Sequence, residues 1–122
     1  MNTMHKVRLT DAEASIIQDA MRDILIARAR ARQLITYSEL ASLLPVEIHP
    51  HSFAFSRLLR AVCAEEQRQG HGQLCALVVS KATGMPSGGY FVGTASPARD
   101  LSDLEAAWRQ DLEALYLLWE KL

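Results

Sequence analysis

Arg57 and Arg60 stand three residues apart in a stretch that reads as a helix, with Ser56 and Ala64 on the same side. Two guanidiniums at that spacing share one helix face. They can pair with phosphate oxygens or fork onto the acceptor edge of a guanine, while the small Ser56 and Ala64 permit close approach. Further on, Lys81, Thr83 and Ser87 punctuate a Gly/Pro-rich turn and are phosphate donors of the same kind. The competing reading is a protein-binding face, because Glu65 and Glu66 follow the arginines on the same helix.

Other chemistries find less support. Cys63 and Cys75 are too few for a disulfide scaffold. Cys75 sits in the apolar run Leu74-Cys75-Ala76-Leu77, where a cysteine acts as a small buried hydrophobe with an inert, protonated thiol. His49, His51 and His71 are loop residues without cysteine partners, so no metal site is expected. No acidic-and-lysine cluster of a nuclease appears. The sequence thus predicts no catalytic residue, no metal and no cofactor.

The 122 residues suit a single domain spanning residues 1–122. The net charge of -1 hides an asymmetry: residues 1–98 carry ten Lys/Arg against eight Asp/Glu, and residues 99–122 carry three against six. Salt confines surface fields to roughly 8–10 Å, so a basic body can present a local positive face despite an acidic tail. Lys6 and Arg8 are not followed by an apolar segment of signal-peptide length, and no apolar run approaches ~18 residues. The expectation is a cytoplasmic protein without a membrane partner.

The elements that must position these residues are marked by their caps. Thr10-Asp-Ala-Glu13 is a capping box opening a helix with Ile16, Ile17, Ala20, Met21, Ile24 and Leu25 at helical spacing. That helix ends in Arg28, Arg30 and Arg32, which suit either the helix dipole or a phosphate. Leu34-Ile35 reads as a short strand, and Thr36-Tyr-Ser-Glu39 is a second capping box opening a helix over residues 37–44, ended by Pro45. After a loop over residues 45–50, Ser52 caps a third helix with Phe55, Leu58, Leu59 and Val62 as its buried stripe; Gly70 and Gly72 terminate it. Residues 74–79 read as a strand, residues 83–88 as a turn and residues 89–92 as a returning strand. Ser102-Asp-Leu-Glu105 opens a C-terminal helix over about 102–122, with Leu104, Trp108, Leu112, Leu115 and Trp119 on one face.

The order helix, strand, helix, helix, strand, wing, strand is that of an α+β winged helix with an added C-terminal helix. In that architecture the third helix enters the major groove and the hairpin touches the backbone or minor groove. The reading is a non-catalytic protein that binds duplex DNA through the third helix and wing; its alternative is a protein-interaction winged-helix module of a bacterial multi-protein system, with a protein partner on the same face. Leu117, Leu118 and Leu122 broaden the C-terminal apolar face and point to a homodimer contact, unless that helix wraps its own domain.

Between Gln33 and Gly93, the pieces Ile35-Thr-Tyr-Ser-Glu-Leu-Ala41, Arg60-Ala-Val62, Cys75 with Val78-Val79, and Gly88-Gly-Tyr90 are similar to the DNA-binding domain of O6-alkylguanine-DNA alkyltransferases and alkyltransferase-like proteins. The resemblance implies that Tyr37 contacts the phosphate of a flipped nucleotide and that Arg60 fills the vacated space in the stack. The family's Pro-Cys-His-Arg-Val acceptor motif is replaced here by Leu74-Cys75-Ala76-Leu77-Val78, and an ungapped match puts Leu77 at the nucleophile's place. Alkyl transfer is therefore not expected. The Thr-Tyr-Ser-Glu-Leu-Ala and Thr-Gly-Met-Pro-Ser-Gly-Gly-Tyr-Phe pieces also resemble a module of uncharacterised bacterial proteins, which implies recognition without catalysis.

Overall fold

A computed structural model describes residues 9–91 and 102–122. Helix α1 (Asp11–Ala31) leads into strand β1 (Ile35–Thr36), helix α2 (Tyr37–Ser42) and helix α3 (Phe53–Arg68). A 3-10 turn (Leu74–Leu77), strand β2 (Val78–Val79), a single helical turn α4 (Gly88–Phe91) and helix α5 (Leu104–Lys121) complete the order. The architecture is α+β. β1 and β2 pair in parallel, Ile35 opposite Val78 and Thr36 opposite Val79, with α2 and α3 forming the long connection that parallel strands require.

The caps act much as their chemistry dictates. Thr10 and Glu13 form a reciprocal capping box, and the Ser52 hydroxyl accepts from the Phe55 amide at 3.1 Å. Thr36 accepts from the Glu39 amide at 3.1 Å, but the Glu39 carboxylate turns away from its own cap. It takes a hydrogen bond from Arg28 at 3.0 Å instead, while a second Arg28 nitrogen donates to the Leu34 carbonyl at 2.7 Å. The arginine at the end of α1 thereby fixes the entry to β1 and the pitch of α2. Arg32 holds Glu113 and Glu120 of α5, and its hydrogen bond to Glu120 leads the causes that raise its pKa. Arg30 lies over the Trp119 ring. The arginine-rich end of α1 is structural.

One core runs through the described residues: Ile17, Met21 and Leu25 of α1, Phe55, Leu58 and Val62 of α3, Leu74 and Leu77 of the 3-10 turn, and Trp108, Leu112, Leu115 and Trp119 of α5. Each such side chain contributes about 1.5–3 kcal/mol on burial. The tryptophans also supply a polar handle. Trp108 Nε1 donates to the Ala76 carbonyl at 2.8 Å, and Trp119 Nε1 to the His71 carbonyl at 3.0 Å. Ile16 and Leu104 fall outside the stripes expected of them and are exposed. The cap of α5 is Asp103, whose carboxylate accepts from the Ala106 amide, rather than Ser102. The tryptophan face of α5 packs into the chain's own core, leaving Leu117 and Leu122 exposed and Leu118 half-buried.

Four expectations about the second half of the chain are corrected. Residues 74–79 are not one strand: Leu74–Leu77 coil as a 3-10 turn with Leu74, Ala76 and Leu77 buried, and only Val78–Val79 are strand. The returning strand over 89–92 is replaced, as far as Phe91, by α4; Val92 lies outside the described residues. Tyr90 and Phe91 are both buried with rings 5.0 Å apart, which a helical turn permits and the alternation of a half-buried strand does not. The expected wing is a compact turn, closed by Ser80 N–H donating to the Met85 carbonyl at 2.8 Å and Gly84 N–H to the Ser80 carbonyl at 2.8 Å. Gly84 takes a left-handed φ of 71° there.

The fourth correction concerns the cysteines. Cys63 of α3 and Cys75 of the 3-10 turn form a disulfide, with Cα atoms 5.8 Å apart, so neither is the isolated thiol expected. α3 ends in a Schellman turn: His71 N–H donates to the Glu66 carbonyl at 2.9 Å and Gly70 N–H to the Gln67 carbonyl at 3.0 Å, with Gly70 at φ 83°. This reversal folds residues 74–77 back across α3 and brings the two sulfurs together.

Candidate nucleic-acid interface

Four segments meet at one face. α3 presents Ser56, Arg57, Arg60 and Ala64; the first residue of α2 presents Tyr37; the turn after β2 presents Lys81; and Ser87 precedes α4. A cavity of about 220 Å³ is walled by Tyr37, Ser56, Arg60, Ser87, Tyr90 and the Cys63–Cys75 bridge, among others. A second of about 480 Å³ is walled by Tyr37, Ser38, His51, Ser56, Lys81 and Ser87, among others. Tyr37, Ser56 and Ser87 line both, so the two form neighbouring compartments of one cleft.

The partition between them is a hydrogen-bonded pair. The Ser87 amide donates to the Tyr37 hydroxyl at 3.0 Å, and the Tyr37 hydroxyl donates to Ser87 Oγ at 3.2 Å. Tyr37 is in turn carried by α2, whose pitch the Arg28–Glu39 pair sets. Tyr90 is buried, and its hydroxyl donates to the Asp111 carboxylate on α5, so the far wall is anchored to the C-terminal helix.

Most arginines elsewhere on the chain are paired, although Arg30 and Lys121, like the cations of this face, make no ion pair among the described residues. Arg22, Arg28, Arg32, Arg68 and Arg109 each hold a carboxylate. Among the described residues, Arg57, Arg60 and Lys81 make no ion pair. The two acidic residues that follow the arginines do not reach them. Glu65 is engaged by Arg68 and Gln69; the hydrogen bond from Gln69, then Arg68, lowers its pKa. Glu66 is 4% exposed and accepts from Arg22 Nε at 3.1 Å, with His71 Nδ1 at 2.8 Å from its other oxygen. It ties α3 to α1 and faces away from the cleft.

Of the six residues picked from the sequence, Tyr37, Ser56, Arg60 and Ser87 share the smaller cavity, and Lys81 joins Tyr37, Ser56 and Ser87 at the larger. Arg57 lines neither and stands exposed beside them on α3. Sequence reasoning missed the walls supplied by Tyr90, Ser38, His51 and the disulfide. Tyr90 had a signal in its Gly-Gly-Tyr setting; the pairing of Cys63 with Cys75 had none. No group of three or more His, Cys, Asp or Glu side chains that could hold a metal occurs among the described residues, and no helix there is long and apolar enough to cross a membrane.

No protein-family model, curated protein or solved structure matches this chain.

Proposed function

We propose that this chain is a non-catalytic DNA-binding protein of winged-helix type, with α3 directed at the groove and the Ser80–Met85 turn acting as a reduced wing. The observation that carries the reading is the gathering of unmatched cations at one cleft: Arg60 and Lys81 line it and Arg57 stands beside it on α3, none with an acidic partner, whereas five arginines elsewhere hold carboxylates and Arg30 lies over the Trp119 ring. Three unmatched cations beside the hydroxyls of Tyr37, Ser56 and Ser87 make a surface complementary to phosphate. The joint placement of Tyr37 and Arg60 at one cavity supports the likeness to alkyltransferase-type DNA-binding domains, in which a tyrosine meets the phosphate and an arginine enters the stack. The reading places the protein in the cytoplasm with the DNA.

The test is a titration of labelled duplexes, plain and base-modified, at low and moderate salt. Binding that weakens with salt by a log–log slope of about -0.9 per phosphate contact supports the reading. Absence of binding to every duplex at low salt removes it in favour of a protein partner on the same face.

A further inference from the structure

Phe53 opens α3 and is 82% exposed, whereas the next most exposed large apolar side chains, Leu43 and Leu122, reach 51%. A scattered apolar residue on a surface needs no explanation by itself. This one stands in line with function. Phe53, Arg57 and Arg60 follow one another at i, i+4 and i+7, so ring and guanidiniums share one stripe of α3. Ser52 caps the turn that carries the ring, through its bond to the Phe55 amide, and so fixes it on regular helix.

A partner complementary to this stripe must offer both negative charge and flat apolar faces. A protein surface supplies both only where an aromatic or apolar patch adjoins carboxylates; nucleic acid supplies both at every nucleotide, since every base has a π-face for an aromatic ring and every step a phosphate. In an intact duplex those faces are closed by neighbouring base pairs, so a ring that stacks face to face on a base needs one that has left the stack. We propose that Phe53 is a base-stacking contact and that the DNA this protein prefers carries an unpaired base beneath it. Phe53 and Arg60 lie about 10.5 Å apart along the helix axis. This proposal rests on the DNA-binding reading above.

The test is fluorescence anisotropy on two labelled duplexes of one sequence, one fully paired and one with a single bulged base, using wild type, Phe53→Ala and Phe53→Tyr. Wild type is expected to bind the bulged duplex at least about fivefold tighter. Phe53→Ala is expected to abolish that preference while keeping its affinity for the paired duplex within about twofold, and Phe53→Tyr to keep the preference. Equal binding of both duplexes by wild type, or a preference that survives in Phe53→Ala, overturns the role of Phe53 and leaves the DNA reading standing. Failure of both duplexes to bind at low salt overturns the DNA reading and this proposal with it.

Discussion

The Tyr37 hydroxyl is held from two directions by Ser87, accepting from its amide at 3.0 Å and donating to its hydroxyl at 3.2 Å. This pair joins the start of α2 to the segment after the wing-like turn, and it separates the two compartments of the cleft. Tyr37→Phe removes both bonds while keeping the ring. The expected cost is about 0.5–1.5 kcal/mol per bond in stability, with a weakening of DNA binding of similar size. Urea midpoints and duplex titrations on the same variant check it. An unchanged midpoint together with unchanged binding contradicts a positioning role for the pair.

The unmatched arginines are expected to behave differently from the matched ones. Arg60→Ala should weaken duplex binding by about 1–3 kcal/mol if the side chain reaches a base or fills the stack. Arg57→Ala, on a side chain outside both cavities, should cost less and reduce the salt slope by about one contact. Arg109→Ala, which removes an exposed pair with Glu105 on α5, serves as the control and should leave binding unchanged.

How far the sequence carried this picture depends on the kind of signal. Hydroxyl caps at Thr10 and Ser52 were legible because a cap is a local bond between residues three apart. The stripe of Phe55, Leu58, Leu59 and Val62 was legible because it has helical period. Residues 74–79 were not, because an unbroken apolar run has no period to distinguish a strand from a buried turn. The partner of Cys75 was hidden for a different reason: it depends on the Schellman reversal after Arg68, a tertiary event that composition does not encode. Four of the six chosen contacts meet at one cavity; Tyr90 carried a signal in its Gly-Gly-Tyr setting, but its burial depends on a helical turn where the sequence reads as a returning strand.

The Cys63–Cys75 bridge closes a short loop, with a sequence separation of 12. For a loop of that size the chain-entropy model gives about 3 kcal/mol of stabilisation. A reducing compartment opens such a bridge, so the bridge makes stability depend on redox conditions. Adding dithiothreitol should lower the urea midpoint of the oxidised protein, and Cys75→Ser should show no response to the reductant. A midpoint insensitive to reductant in the wild type contradicts the bridge.

The buried Glu66 carboxylate is held from two sides, by the Arg22 guanidinium of α1 and by a contact with the His71 ring after α3. Arg22→Ala leaves that carboxylate with one partner. Because Arg22 is itself about a third exposed, the expected loss is about 2 kcal/mol, below the 3–5 kcal/mol typical of breaking a fully buried pair. Duplex affinity of the folded variant should be unaffected, since neither group faces the cleft. Urea denaturation with an unchanged slope, paired with one titration, checks both halves.

The central claim is that the α3 face with the unmatched arginines binds DNA, and the measurement that tests it most directly is duplex titration at two salt concentrations with wild type and the Arg57→Ala/Arg60→Ala double variant. The account predicts saturable, salt-sensitive binding by wild type, and in the double variant a loss of at least about tenfold with a shallower salt slope. Wild-type binding that is absent at low salt, or that survives unchanged in the double variant, contradicts it.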